Sequence, residues 1–83
     1  MEIRVGKVTH YFSHIHVAVL ELNGELNVGD TILITGHTTD FTQPVTSMEI
    51  EHQPVQTVRQ GMDVALRVIE PVRKGDQVFK ITG

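Results

Sequence analysis

The chain has 83 residues, 40% hydrophobic and 20% charged, with a net charge of −3. That excludes wholesale disorder and leaves room for one modest core, not for a catalytic cleft between two lobes. With no cysteine, it also excludes disulfides, thiolate nucleophiles and cysteine metal sites, and the seven Lys and Arg residues are too scattered for an extended phosphate-binding surface.

From the N-terminus, MEIRVGKVTH lacks the basic start and continuous apolar stretch of a secretion signal. The longest apolar run, IHVAVLEL, is too short to span a bilayer, so a soluble, cytoplasmic protein with no membrane partner is expected. Helical periodicity is absent. Short runs rich in Val, Ile and Thr, punctuated by Gly, Asn, Asp and Pro, predict strands at 2–11, 16–22, 30–36, 45–52, 62–69 and 77–82, with a short one near 55–58. In the first, alternation slips at Gly6, which predicts a bulge. In the second, Ala18, Leu20 and Leu22 are taken as core because Glu21 shares the Val19 side. Met48 and Ile50 alternate with Ser47, Glu49 and Glu51, as in a half-buried antiparallel strand. Ile32, Ile34, Val64, Leu66 and Val68 complete the expected core. Strands spaced in this way in one domain over 1–83 predict an all-β fold, a closed or nearly closed barrel or a sandwich.

LNVGDTILITG, residues 26–36, almost recurs as VRKGDQVFKITG, residues 72–83. A Gly that accepts positive φ, followed by an Asp that accepts its own turn's N–H groups, reads as a turn opening a strand. A catalytic or metal-holding Asp pair is the alternative reading.

These phrases in order resemble the second domain of the translational GTPases, the β-barrel of elongation factor Tu. The matching pieces are Gly6-Lys7-Val8, Leu26-Asn27-Val28-Gly29-Asp30, Val45-Thr46-Ser47-Met48, Gly61 ahead of Val64, and Val72-Arg73-Lys74-Gly75-Asp76. The loop GHTTDFTQPVTSMEIEH is most similar to stand-alone prokaryotic translation elongation factor-like proteins and to the C-terminal barrel of collagenase-like U-family peptidases. No G-x-x-x-x-G-K-[ST] is present, so no GTP site is expected. The resemblance implies a small antiparallel β-barrel of about six or seven strands, acting as a non-catalytic binding module of the translation apparatus whose partner is the ribosome or another RNA–protein complex. The alternative it implies is a protein–protein adaptor that works in trans with a catalytic, peptidase-like or RNA-modifying partner.

Two stretches could carry contacts. HYFSHIH places His10, His14 and His16 at a hairpin end, either a contact surface or, with help from His37 or His52, a metal site. No metal and no cofactor is expected, because three histidines without cysteine rarely close a structural site. In the loop His37-Thr38-Thr39-Asp40-Phe41, Phe41 is either a plug over one barrel end or an exposed anchor for a protein or a stacked base. Arg73 and Lys74 could meet phosphate. The expected binding residues are therefore His14, His16, Thr38, Thr39, Asp40, Phe41, Arg73 and Lys74. Ser13 and Ser47 lack a nucleophile-elbow context, and the Glu49/Glu51 face is shallow, so no enzyme is expected.

Overall fold

A computed structural model describes residues 1–83. Ten strands form: β1 (Glu2–Phe12), β2 (Val17–Leu22), β3 (Leu26–Asn27), β4 (Thr31–Thr35), β5 (Asp40–Pro44), β6 (Met48–Ile50), β7 (Gln53–Val55), β8 (Thr57–Val58), β9 (Asp63–Arg67) and β10 (Gln77–Ile81). Eight of them make one antiparallel sheet in the order β5-β4-β10-β1-β2-β9-β6-β7, and β3 pairs with β8 beside it. No helix is long and apolar enough to cross a membrane.

The all-β expectation holds, and the closed barrel does not form. β5 and β7 are free edges, with no ladder between them. The sheet nevertheless curls, because edge strand β5 sends Phe41 and β6 sends Met48 into the same apolar cluster as Leu20, Ile32, Val64 and Val78. A buried side chain ties β5 to the end of β9 instead. Gln43 on β5 donates from Nε2 to the Arg67 carbonyl and accepts at Oε1 from the Ile69 N–H, both at 2.8 Å. It thus mimics a peptide unit at the seam. The radius of gyration is 11.2 Å, against roughly 12 Å for a folded chain of this length, so the open seam leaves the molecule no looser.

The expected core faces are correct: Ala18, Leu20, Leu22, Ile32, Ile34, Val64, Leu66 and Val68 are all buried. Gly6 is at a bulge, where the β1–β10 register shifts between Arg4 and Gly6. A Cβ there would lie 2.5 Å from the Glu21 carbonyl oxygen, so only glycine lets β1 press against β2. The strand expected at 45–52 is shorter. Val45–Ser47 is irregular, and β6 ends at Ile50 because Glu51 (φ 51°) and His52 (φ 67°) turn the chain into β7. The loop expected at 37–41 is also shorter, since the chain re-enters the sheet as β5 at Asp40.

The repeated phrase is a repeated turn. Gly29 and Gly75 have φ of 99° and 95°, and the N–H of the Asp that follows each bonds back to Asn27 O or Arg73 O at 3.1 and 3.0 Å. Each turn exchanges two hydrogen bonds with a buried valine. Gly29 N–H donates to Val45 O and Val45 N–H to Asp30 O, while Gly75 N–H donates to Val8 O and Val8 N–H to Asp76 O, all at 2.8 Å. The strands that follow the two turns, β4 and β10, then pair antiparallel with Leu33 opposite Phe79. Those two residues hold the same place in the two copies, so the phrase pairs with itself about a local two-fold axis.

Candidate functional site

Between β1, β2, β9 and the β6–β7 turn runs an open groove of about 760 Å³. Its floor follows from the composition of β2. In VAVLEL both faces are apolar at the start, so burying Ala18 and Leu20 inward leaves Val17 and Val19 pointing outward, half-buried. On β9 the outward residue opposite Val19 is Ala65, and beyond it on β6 stands Glu49. The groove ends are large and exposed: Phe12 at 50%, Ile15 at 56% and Met62 at 43% of their full accessible surface. Outward faces of antiparallel strands are ordinarily polar. This one is not.

The rim is acidic. Glu49, Glu51 and Asp63 line the groove, with His52 and without any Lys or Arg. The chain's two ion pairs, Lys7–Glu21 at 3.9 Å and Lys80–Asp30 at 4.0 Å, involve none of these three carboxylates. Glu51 and His52 are the two central residues of a hairpin turn, with Ile50 facing Gln53, and both have positive φ. Such a turn favours Asn-Gly or Asp-Gly, and a bulky residue held there is strained by about 1–2 kcal/mol. Strain of this kind gathers where function needs a particular side chain.

The residues singled out in the sequence fall in three places. Thr38, Thr39, Asp40, Phe41 and Arg73 converge around a smaller depression of about 440 Å³ whose wall includes Glu70. Thr39 and Phe41 are buried there, and Phe41 faces the core from β5, so it plugs the interior rather than offering an anchor. Charges of both signs meet in this depression, and Lys74 lies outside its lining. His14 is exposed in the β1–β2 turn. His16, exposed with φ of 55°, lines a third depression with Gln43 and Arg67. His10 packs its ring on Phe12, with centroids 6.3 Å apart and an interplanar angle of 27°. No three His, Asp or Glu residues converge as metal ligands would.

The far wall of the groove was missed in the sequence, since Met62, Asp63 and Glu49 belong to segments that read as ordinary strands. The outward Val17 and Val19 were the available signal. Glu21 on the same side made that face look solvated.

No protein-family model matches the chain. Over 79 residues, 94% of its length, it is 38% identical to an uncharacterized protease of Methanocaldococcus jannaschii, of which it spans 19%. Over 81 residues, 95% of its length, it is 40% identical to a collagenase of Porphyromonas gingivalis, of which it spans 20%. The chain thus spans about a fifth of the length of the curated relatives it matches. Its fold is that of the C-terminal domain of a Geobacillus thermoleovorans protein described as a U32 peptidase. The TM-score is 0.89, with 94% of this chain and 91% of that one covered, at 20% identity. The selenomethionine variant of that domain gives 0.86 at 19% identity, with 90% and 95% covered. These relatives support the collagenase-like side of the resemblance and leave the elongation factor Tu side without support. The Gly-Asp phrase is a turn that many small β folds can use, so it specifies strands better than lineage.

Proposed function

We propose that the chain is a non-catalytic docking domain that binds a peptidase-like catalytic partner, on the same polypeptide or on another. The carrying observation is the match at about 40% identity over nearly all of this chain to a fifth of the length of proteins named as a protease and a collagenase. A segment reused at that scale within larger enzymes behaves as a module, and the open apolar groove gives it a surface to work with. The lack of catalysis has its own support. The one buried carboxylate, Asp76, is held by its own turn through the Arg73 N–H at 2.8 Å. A role on the ribosome draws no support from these relatives, and the acidic groove is ill suited to phosphate. The absence of cysteine favours work in a reducing compartment such as the cytoplasm.

The test is recovery of the tagged chain from its native lysate with and without ribonuclease. A peptidase-like protein retained after ribonuclease treatment is the expected result. Ribosomal proteins that vanish with the nuclease would overturn the reading.

A further inference from the structure

We infer that the groove between β2 and β9 receives a polypeptide segment that inserts large apolar side chains and sets Lys or Arg residues against the rim. This deepens the docking reading and rests on it for the identity of the protein that carries the segment. The apolar half of the argument is the floor of Val17, Val19 and Ala65 with Phe12, Ile15 and Met62 standing exposed at its ends. Solvated β faces carry polar residues at such positions, so an apolar strip framed by charge marks a covered surface.

The charged half fixes the occupant's chemistry. Glu49, Glu51 and Asp63 line the groove, no Lys or Arg joins them, and neither of the chain's ion pairs neutralises any of them. A partner that covers the groove must bring cations or leave three carboxylates partly desolvated without compensation. RNA and anionic lipid would bring phosphate to carboxylate and are disfavoured on the same ground. A second copy of this chain, carrying −3 overall, would bring the same carboxylates. The turn supports the assignment independently. Glu51 and His52 are held at φ of 51° and 67°, so two side chains are kept at the rim where an Asn-Gly turn would be easier.

The test titrates the full chain, followed by amide NMR, with three short synthetic peptides: Leu-Phe-Leu flanked by Lys and Arg, the same core flanked by Glu, and a Lys/Arg peptide with Ser in the core. The first should shift amides of residues 12–19 and 49–65 and bind about tenfold or more tightly than either control, a ratio that should shrink in high salt. Ile15→Ser, and separately Glu49→Lys with Asp63→Lys, change exposed side chains and should keep the spectrum folded while weakening that binding about tenfold. Equal binding of all three peptides, shifts elsewhere on the chain, or no saturable binding would each overturn the inference. The lysate experiment separates it from the docking reading. A peptidase-like protein recovered by Ile15→Ser in the same yield as by the parent chain would exclude the groove and spare the docking role. Groove binding of the cationic peptide beside recovery of ribosomal material alone would do the reverse.

Discussion

Asp30 and Asp76 answer the same local need in two settings. In each, Oδ2 accepts the N–H of the residue three positions earlier, from Asn27 at 2.9 Å and from Arg73 at 2.8 Å. Asp30 is half-buried, with Lys80 Nζ at 4.0 Å, while Asp76 is buried behind Gly36. A Cβ on Gly36 would overlap the Asp76 carboxylate, so the glycine that closes one copy of the phrase makes room for the aspartate of the other. Gly36→Ala should therefore cost about 1–3 kcal/mol, the range for overpacking a tight site. In an Asp76→Ala background the same substitution should cost at least about 1 kcal/mol less. Denaturant unfolding of the four proteins of this cycle measures the difference, and strict additivity would refute the contact. The turns themselves were legible in the sequence, because Gly-Asp has one cheap backbone solution. That Gly36 and Asp76 meet was not, since it depends on β4 pairing with β10 across the chain.

At the scale of elements, the edges explain both what was missed and what holds. β5 reads as loop because its inward residues are Phe41 and Gln43, and a polar residue at a core position breaks the alternation that would reveal a strand. Gln43 is polar for a reason: both ends of its amide are used at the seam. Gln43→Leu keeps the volume but leaves the Arg67 carbonyl and the Ile69 N–H without that partner, and a loss of about 1–3 kcal/mol is expected in thermal or denaturant unfolding. A variant as stable as the parent would show the staple to be ornamental. Each free edge carries a proline, Pro44 on β5 and Pro54 on β7, which cannot donate to an added strand. The β6–β7 turn offers a second check. Replacing Glu51-His52 by Asn-Gly should raise stability by about 1–2 kcal/mol by relieving two left-handed residues. The same change should weaken capture of the cationic apolar peptide. Unchanged stability would argue against strain at this turn.

At the scale of the whole molecule, the core was legible and the closure was not. Alternation in β2, β4 and β9 identifies the inward residues, because burial on one face leaves a period of two. Whether a curled sheet completes its last ladder depends on the edge strands. Here these are short and proline-bearing, and β5 is tied by Gln43 to the end of β9 and not to β7, so a barrel pattern in the sequence ends as an open curl. The groove was not legible: HYFSHIH was read through its histidines, whereas the residues of that stretch that line the groove are Phe12 and Ile15, and the acidic wall is assembled from β6, the β6–β7 turn and the start of β9. The most direct measurement places a photo-reactive phenylalanine analogue at position 15, in the groove, and in a second protein at position 38, by the smaller depression. Each tagged chain is irradiated in native lysate and its cross-linked product sequenced. Position 15 should capture a peptidase-like protein at an apolar segment rich in Lys or Arg, and position 38 should not. Capture of ribosomal protein or RNA from position 15, or of the peptidase-like protein from position 38 alone, would contradict the docking role proposed for this face.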